Sequence, residues 1–254
     1  RVLDGMTELY RQRNPPLKRA QIEDNMKVIV QYPLQEGRIV LRTELDWQQS
    51  ILGKRIKNHC YQFRLETDRP FLYYKPCLEL GDQLYWSLGH NNLATRASHL
   101  NQTTPAFFYP GGTISLKPEK YQFEGREYLI RVYHPPGYHE NPYARYPVIY
   151  MHDGHNLFFP HEAFAGVTWK VDSTLELLDS MSSVEKCIVV ALYPQDRMTD
   201  YTRPGYQHHG RFLIEHLMPT LEQELNCLKG PLNTAVFGSS LGGVASFYLA
   251  WQYP

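Results

Sequence analysis

From residue 147 onward, apolar runs alternate with segments of helical spacing, and this alternation limits the possible folds more than any other feature. The runs PVIYMHD, CIVVALY and NTAVFGS are largely apolar, as expected of strands buried on both faces. Each is followed by a segment that predicts a helix: WKVDSTLELLDSM, QHHGRFLIEHLMPTLEQEL and LGGVASFYLAWQY. Because the connections are short, the sequence predicts right-handed crossovers and a parallel sheet covered by helices on both faces.

The residues before this alternation predict an all-β architecture. From Lys27 to about Val132, short segments such as KVIVQY, RIVLRTEL, CYQFRLE and DQLYWSL alternate in polarity or are apolar. Gly, Pro, Asp and Asn separate these segments, as in a small β-sandwich. The stretch GHNNLATRASHLNQTTP is predicted to be a linker, and two further strands are expected near 113–123 and 126–133.

These patterns divide the chain into three parts. Residues 1–26 are polar and predict a short helix from about Pro16 to Met26, capped by Asn14. Residues 27–105 are assigned to the β-sandwich, and residues 106–254 to the α/β part. The expected fold class is therefore α/β, preceded by a small all-β domain.

Ser240 lies in the segment Gly238-Ser-Ser-Leu-Gly242, which follows an apolar strand and opens a predicted helix. This is the context of a nucleophile elbow, in which the serine stands on a turn too tight for neighbouring side chains. At such a turn the backbone N–H of Leu241 points to the place where an oxyanion forms. The alternatives are a glycine-rich phosphate-binding turn and an ordinary strand–helix junction, and the context favours the nucleophile.

Charge and cysteine content exclude several classes of function. The 26 Lys and Arg residues balance the 26 Asp and Glu residues, so no overall field attracts nucleic acid or an anionic membrane. No apolar run reaches the roughly 18 residues of a membrane span. The cysteines form no Cys-x-x-Cys pair and His208-His209 has no second ligand cluster, so neither a metal nor another cofactor is predicted. A Cys60–Cys77 disulfide is less favoured than free thiols.

Four motifs in the second half of the chain resemble one branch of the carbohydrate-esterase-like family of α/β-hydrolases. They are YPVIYMHDGHNLF, Phe164-Ala-Gly166 with Trp169, Arg197-Met-Thr-Asp200-Tyr201, and Gly238 to Gly243. They follow the family's order over about residues 130 to 254. The β-rich part is more loosely similar to the immunoglobulin-like (E-set) domain that precedes some of these esterases. The resemblance implies an α/β-hydrolase sheet behind a small immunoglobulin-like sandwich.

The resemblance also implies roles for residues at the matching positions. Ser240 would be the nucleophile, and the backbone N–H groups of Leu241 and His155 would form the oxyanion hole. His155 replaces the glutamine usual in the family, and this change leaves the backbone donor in place. Because the loop that carries His155 leaves a buried parallel strand, it is expected at the carboxyl edge of the sheet, where ligands bind.

Five other residues are assigned to substrate binding or loop ordering: Asp153, Asn156, Trp169, Arg197 and Tyr201. Asp153 and Asn156 are expected to hold their loop rather than to take part in chemistry. Arg197 either lines the pocket or orders the neighbouring loop, and the alternative is a solvated surface pair with Asp196 or Asp200. For Trp169, a core position is favoured over a pocket wall.

A reactive serine needs a histidine as general base and a carboxylate that orients the histidine. In α/β-hydrolases both follow the serine in the chain, yet the fourteen residues after Ser240 contain neither. The upstream histidines are disfavoured as substitutes by this order: His152, His155, His208 and His209. The expectation is a fragment that starts at Arg1 rather than Met, lacks the acid and the histidine, and is itself inactive.

The predicted function is hydrolysis of a carboxylic ester, either an acylated saccharide or a siderophore-type lactone, through an acyl-enzyme on Ser240. The alternatives are a noncatalytic binding or assembly module on a hydrolase scaffold and an acyltransferase. The expected partner is a small-molecule or saccharide ester, with no nucleic acid or membrane partner, and the sequence sets no oligomeric state. The lack of a signal peptide favours a cytoplasmic over a secreted protein, although the native N-terminus is expected to be absent.

Overall fold

The computed structural model of the protein describes residues 25–96 and 101–254. The helix predicted from Pro16 to Met26 lies outside these residues except at its last two positions. There the prediction is wrong, because Asn25 and Met26 belong to the first strand, Asn25–Gln31. The side chain of Met26 is buried in an apolar core, because Met26 pairs with Leu65 of the neighbouring strand.

Nine strands form the first part of the described chain. They are β1 (Asn25–Gln31), β2 (Arg38–Thr43), β3 (Asp46–Leu52), β4 (Lys54–Lys57), β5 (Cys60–Glu66), β6 (Phe71–Leu80), β7 (Gln83–Trp86), β8 (Asn92–Thr95) and β9 (Asn101–Thr103). One sheet has the order β4-β5-β1-β9, and the other has the order β3-β2-β6-β7 with β8 paired to the beginning of β6. All pairs are antiparallel except β1 with β9.

The two sheets share one apolar core, so this part of the chain is a β-sandwich, as predicted. Inward and outward residues alternate along the strands; on β5, buried Phe63 and Leu65 flank exposed Arg64. The core also contains buried side chains from both sheets: Val28, Val30, Ile39, Leu41, Leu72, Tyr74, Leu78 and Ala94. Burial of this apolar area is the main stabilising contribution to the sandwich.

The predicted linker over 89–105 is wrong in part, because it contains β8 and β9. Both strands are short and polar, and they exist through pairing: β8 with β6, and β9 in parallel with β1. Asn101 connects them through its side-chain amide, which accepts from the Thr95 N–H and donates to the carbonyl oxygens of Thr95 and Lys27. Because these strands are formed by pairing with distant strands, the sequence shows no alternation of apolar and polar residues from which they could be predicted.

A six-stranded sheet forms the second part. Its strands are β10 (Thr113–Ile114), β11 (Glu119–Phe123), β12 (Arg126–His134), β13 (Val148–Met151), β14 (Ile188–Tyr193) and β15 (Thr234–Phe237). The order is β10-β12-β14-β13-β15, with β11 also paired to β12. Strands β13, β14 and β15 are parallel, as predicted, whereas β12 runs antiparallel to β14. The expected α/β-hydrolase sheet behind an all-β sandwich is thereby confirmed.

The α-helices lie in the segments that the alternation predicts, except for the short helix Arg197–Tyr201, which replaces an expected loop. They are α1 (Val171–Ser180), α2 (Arg197–Tyr201), α3 (Gly205–Arg211), α4 (Met218–Glu224) and α5 (Leu241–Gln252). Between α3 and α4 the chain continues through a π-helical turn, Phe212–Leu217. Phe212, Leu213 and Leu217 are buried against the sheet, so the single amphipathic helix predicted for this region bulges where it packs most closely.

Two neighbouring residues join the sandwich to the α/β part. Glu140 accepts hydrogen bonds from the Tyr32 hydroxyl (3.0 Å) and from the backbone N–H groups of Phe107 (2.6 Å) and Phe108 (2.9 Å). Asn141, which is fully buried, donates to the carbonyl oxygens of Gln31 (2.9 Å) and Pro105 (2.8 Å). Five hydrogen bonds across a partly buried junction fix how the two parts meet.

The boundary at residue 105 remains a prediction, and Phe107, just beyond it, packs in the sandwich core. All four cysteines are buried free thiols, as favoured. Within residues 25–96 and 101–254, no helix is long and apolar enough to cross a membrane. The same residues contain no group of three or more His, Cys, Asp or Glu side chains arranged to hold a metal ion.

Candidate active site

Ser240 stands on a sharp turn between β15 and α5. Its backbone has φ 53° and ψ −120°, a conformation that a residue with a side chain rarely adopts. Holding such a residue costs about 1–3 kcal/mol, which the surrounding structure must offset. The side chain is exposed, and the turn lies at the carboxyl end of a parallel strand. Ser240 therefore has the strained, accessible geometry of a nucleophile elbow.

The glycines of the motif are required by space. A Cβ atom on Gly238 would lie 2.3 Å from the carbonyl oxygen of Gly242, closer than any real contact. A Cβ atom on Gly242 would lie 3.1 Å from Cβ of His152 and 3.2 Å from Oδ2 of Asp153. The start of α5 is thus pressed both against its own turn and against the loop that follows β13.

Two backbone N–H groups at this edge have no hydrogen-bond acceptor among the described residues: those of Leu241 and His155. Leu241 is the first residue of α5, where the helix dipole concentrates positive charge. His155 lies in a 3-10 turn, Gly154–Asn156, directly after β13. The predicted oxyanion donors thus come from the ends of neighbouring parallel strands and are free to bind a negatively charged oxygen.

Asp153 is the anchor of the loop after β13. It is almost fully buried and adopts a left-handed backbone conformation, with φ 58° and ψ 45°. Its carboxylate accepts two hydrogen bonds from Arg197, from Nε at 2.8 Å and from Nη2 at 3.0 Å. Its backbone N–H donates to the hydroxyl of Tyr201 at 3.0 Å. Asp153 and Tyr201 are both inaccessible from the surface, so their contacts order the loop.

Arg197 links this loop to the elbow. Besides holding Asp153, its Nη2 donates to the carbonyl oxygen of Ser239 at 3.2 Å. The hydrogen bond with Asp153 raises the pKa of Arg197 above its usual value, so the guanidinium stays charged. The alternative of a solvated pair with Asp196 or Asp200 is wrong, because the partner of Arg197 is the buried Asp153. We call this arrangement of Arg197, Asp153 and the Ser239 carbonyl the arginine clamp.

The two acids of the Arg197 segment have partners of their own. Asp196 caps α2 by accepting from the N–H groups of Met198 and Thr199. Asp200 is fully buried and forms an ion pair with Arg126 at the start of β12. Helix α2 is only five residues long, yet its polar side chains connect the ends of β12, β13 and β14.

Asn156 and Trp169 lie on the other side of the loop after β13. The Asn156 side-chain oxygen accepts from the Phe164 N–H at 2.8 Å, and its carbonyl oxygen accepts from the Trp169 N–H at 2.8 Å. Trp169 is half-buried and packs on the apolar cluster beneath α1. It also lines an apolar groove of about 550 Å³ that reaches Ser239 and Phe237. Trp169 is thus at once part of a core cluster and part of a groove wall.

Two buried histidines lie behind the elbow. His152 and His209 are 0% and 3% exposed, and their Nε2 atoms are 3.1 Å apart. Nδ1 of His152 contacts the Ser246 hydroxyl at 3.0 Å, whereas Nδ1 of His209 has no partner among the described residues. Burial lowers the pKa of His152 to about 4 and of His209 to about 3. Both rings are therefore neutral near pH 7, and one donates to the other.

No histidine or carboxylate within residues 25–96 and 101–254 forms a hydrogen bond with the Ser240 hydroxyl. His208 instead contacts the Tyr128 hydroxyl and Glu124, near the start of β12. The ring of His155 lies near Tyr193. An acid and a histidine for Ser240 therefore remain predictions.

The sequence analysis missed Arg126 and Ser246 at this edge, and it considered His209 only as a disfavoured base or metal ligand. Their contacts join residues that are 74, 94 and 57 positions apart in the chain. The only local signal was the spacing of Arg197, Asp200 and Tyr201, which places three functional side chains on one short helix.

A profile of the "Putative esterase" family matches residues 122–254, which is just over half of the chain. A curated relative, an uncharacterized protein of Bacillus subtilis strain 168 called YbbA, is 24% identical over 141 residues; the match covers 48% of this chain and 50% of the relative. The chain thus spans about half the length of the curated relative that it matches.

Two solved structures are similar to this chain over somewhat more than half of its length. A ferulic acid esterase of the CE1 class from Anaeromyces mucronatus, AmCE1/Fae1A, in complex with ferulic acid, is 24% identical with a TM-score of 0.41; the match covers 56% of this chain and 54% of that one. The enterobactin and salmochelin hydrolase IroE is 21% identical with a TM-score of 0.39, and the match covers 53% of this chain and 55% of that one.

Proposed function

Because the chain belongs to the "Putative esterase" family, we propose that the protein hydrolyses carboxylic esters through an acyl-enzyme on Ser240. The observation that carries the proposal is the backbone of Ser240, which presents an exposed hydroxyl on a strained turn. Strain of this kind is held in place only where the surrounding structure enforces it, and it clusters at functional sites. Here the glycines and the arginine clamp enforce it.

In the proposed reaction, Oγ of Ser240 attacks the acyl carbon while a general base takes its proton. The negative charge on the carbonyl oxygen is held by the N–H groups of Leu241 and His155. The bond to the alcohol then breaks, and the alcohol leaves with the proton from the base. Water attacks the acyl-enzyme with the same base and releases the acid. The base and its orienting acid come from outside the described residues, because no described side chain reaches the hydroxyl in this arrangement.

The arginine clamp has a positioning role in this proposal. The two oxyanion donors sit on different loops, and catalysis depends on both being placed within a fraction of an ångström. Arg197 contacts the loop that carries His155 and the turn that carries Ser240. It therefore sets the distance between the two halves of the proposed oxyanion hole without touching the reacting atoms.

For the substrate, we propose an ester of a saccharide or a siderophore-type lactone. One observation supports an apolar acyl group: the almost wholly apolar groove beside Trp169 reaches Ser239, next to the exposed Ser240. The solved structures named above are a ferulic acid esterase and an enterobactin and salmochelin hydrolase, and their names are the source of these two substrate classes. A profile of activity against methyl ferulate, acetylated xylose and a cyclic serine lactone distinguishes these substrate classes.

Labelling with a fluorophosphonate tests the nucleophile. We expect the full-length protein to be labelled once, at Ser240, and Ser240→Ala to remove the label and lower kcat by at least about 10⁴-fold. Ser239→Ala is the matched control, because Ser239 is exposed on the same turn but lacks the strained backbone. Labelling that survives in Ser240→Ala, or transfers to Ser239, contradicts the proposal.

The second candidate is a noncatalytic binding module, and one observation favours it: the Ser240 hydroxyl has no base among the described residues. In that case the strained turn would persist as a scaffold feature. A folded full-length sample that neither reacts with fluorophosphonate nor hydrolyses p-nitrophenyl acetate supports the module and excludes the esterase.

A further inference from the structure

A second cleft lies where the sandwich meets the α/β part, and nothing in the proposed reaction uses it. Its volume is about 390 Å³. It is lined from the sandwich side by Ser87 and residues 102–106, and from the α/β side by Arg145, Tyr146 and Lys186. A cleft of this size between two structural units is a common location for a small-ligand site.

The cleft and the elbow lie at opposite ends of the parallel strands. Pro147 and Lys186, which line the cleft, precede β13 and β14, whereas Asp153 and Arg197 follow them. Strand β13 alone separates the two ends by about 10 Å. A ligand in the cleft would therefore bind apart from the Ser240 site.

Ser87 is the first sign that the cleft takes a polar ligand. Its side chain is 5% exposed, and its hydroxyl has no hydrogen-bond partner among the described residues. A buried hydroxyl without a partner is unfavourable, because it has lost its hydrogen bonds with water and gained none in return. Its position in the cleft lining makes a bound hydroxyl or carboxylate the natural partner.

The charges around the cleft favour an anion. Among the described residues, neither Lys75 nor Arg145 forms an ion pair: Lys75 donates to the Gly89 carbonyl at 2.6 Å, and Arg145 uses only its Nη1 atom, on backbone oxygens and an amide. Lys186 donates to the Pro136 carbonyl, and its nearest carboxylate, on Asp179, is 3.9 Å away.

The lysines of this region also interact with each other. Burial lowers the pKa of Lys186, and burial together with the positive charge of Lys186 lowers the pKa of Lys75. An anion placed between them would relieve this repulsion. Asp179 offsets part of the charge of Lys186 and Glu185 is exposed, so Arg145 is the lining cation that has no carboxylate partner among the described residues.

Besides apolar side chains such as Leu88 and Leu228, the lining includes four uncharged amide and hydroxyl groups. They are Asn92, Gln102, Thr103 and Thr104. Such groups bind ring hydroxyls through paired hydrogen bonds, and the buried Tyr146 ring supplies one flat apolar surface. We propose that this cleft binds a sugar ring that carries one anionic group, a carboxylate or a phosphate, with Arg145 and Lys186 on the anion and Ser87 on a ring hydroxyl.

Calorimetric titration of the full chain tests the proposal with four probes: D-glucuronate, glucose 6-phosphate, methyl α-D-glucoside and sodium sulfate. We expect one or both anionic sugars to bind, and the neutral glucoside and sulfate to bind at least about tenfold more weakly, since each lacks half of the recognised chemistry. Tighter binding of glucuronate indicates an acidic polysaccharide as the source, and tighter binding of glucose 6-phosphate indicates a phosphorylated metabolite. Equal binding of the glucoside, equal binding of sulfate, or no binding at all overturns the proposal.

Two variants locate the ligand. Arg145→Gln removes an exposed cation and should weaken binding of the anionic sugar about tenfold. Ser87→Ala should weaken it about fivefold without lowering the unfolding midpoint, because it removes a hydroxyl that has no partner in the free protein. Lys117→Gln, which removes an exposed cation outside the cleft, is the control and should change nothing. Unchanged affinity in both Arg145→Gln and Ser87→Ala overturns the assignment. Ester hydrolysis at Ser240 is a separate readout, so failure of this proposal is distinguishable from failure of the esterase.

Discussion

The sandwich and the carboxyl edge of the parallel strands are stabilised by opposite kinds of contact. In the sandwich, side chains such as Phe63, Leu41 and Leu72 are buried against each other without polar atoms. At the carboxyl edge, the buried groups are charged or polar, and each is held by a specific partner: Asp153 by Arg197, Asp200 by Arg126, and His152 by His209. Apolar contacts tolerate small shifts, whereas hydrogen-bonded pairs fix positions, as a reactive centre requires.

This difference predicts that changes in the two regions separate stability from activity. A substitution in the sandwich should act on the free energy of unfolding and leave the proposed ester hydrolysis by the folded molecules unchanged. A substitution at the carboxyl edge should act on kcat at least as strongly as on stability. Four substitutions test whether stability and activity depend on different regions of the molecule.

Phe63→Ala should lower the free energy of unfolding by about 4 kcal/mol, because it leaves a cavity in a fully buried position. The activity per folded molecule should not change, since Phe63 contacts only the sandwich. Urea unfolding and kcat measured on the folded fraction check both parts. Phe71→Ala, which truncates a half-exposed side chain of the same sandwich, is the control and should cost far less. A large fall in kcat in the folded fraction would break the comparison.

Arg197→Ala should lower kcat about 100-fold, because the two oxyanion donors lose the contact that holds them together. It should also lower the stability by about 2–3 kcal/mol, since Asp153 stays buried without its partner. Arg197→Lys keeps the charge but not the paired hydrogen bonds, so an intermediate effect on kcat with an unchanged KM is expected. Arg64→Ala, which removes an exposed arginine of the sandwich, is the surface control. If Arg197→Ala raised only KM, the residue would bind substrate rather than position the loops.

The buried histidine pair should make stability fall as the solution is acidified. An unfolded histidine has a pKa near 6.5, whereas burial lowers that of His152 to about 4 and that of His209 to about 3. Below pH 6.5 the unfolded chain therefore binds protons that the native state does not, and the free energy of unfolding decreases down to about pH 4. His209→Gln should reduce this slope by about 1 kcal/mol per pH unit.

His161→Gln is the control for this measurement, because the His161 side chain is 76% exposed. Urea unfolding at four pH values between 4 and 7 gives the slopes. If His209→Gln and His161→Gln have the same slope as the unmodified protein, the buried pair contributes nothing to the acid sensitivity of the carboxyl edge.

Ser240→Gly should abolish activity and yet raise the free energy of unfolding by about 1 kcal/mol. Glycine adopts φ 53° and ψ −120° without the steric conflict that serine has, although its greater freedom in the unfolded chain offsets part of the gain. Ser239→Gly, at a neighbouring position without positive φ, should lower the stability slightly. A Ser240→Gly protein that is less stable than the unmodified one would mean that the turn holds no strain.

The sequence predicts the regular elements better than the contacts between them. Strands β13, β14 and β15 were predictable because a strand buried on both faces is a continuous apolar run. Strands β8 and β9 were not, because they are short, polar and dependent on pairing with distant strands. The turn at Ser240 was predictable because its steric requirement is local and is met by nearby glycines.

The partners of the site residues could not be predicted in the same way. Arg197 has two acids within three residues in the sequence, but it pairs with Asp153, which is 44 residues away. An arginine in an exposed segment is expected to pair with an acid close to it in sequence. Arg197 pairs with a distant acid because folding brings two loops together at one edge of the sheet. The contact of His152 with His209 is of the same kind, since neither residue carries a local signal for the other.

The junction at Glu140 and Asn141 has a consequence for engineering. Because the Glu140 carboxylate and the Asn141 amide bind backbone groups at the junction, the α/β part cannot be grafted behind a different front module by matching the chain ends alone. A chimera would need acceptors at the places of Gln31 and Pro105 and donors at those of Phe107 and Phe108. Without them, the Glu140 carboxylate and the Asn141 amide would lose their hydrogen-bond partners at the interface, and the two parts of the hybrid would separate there first.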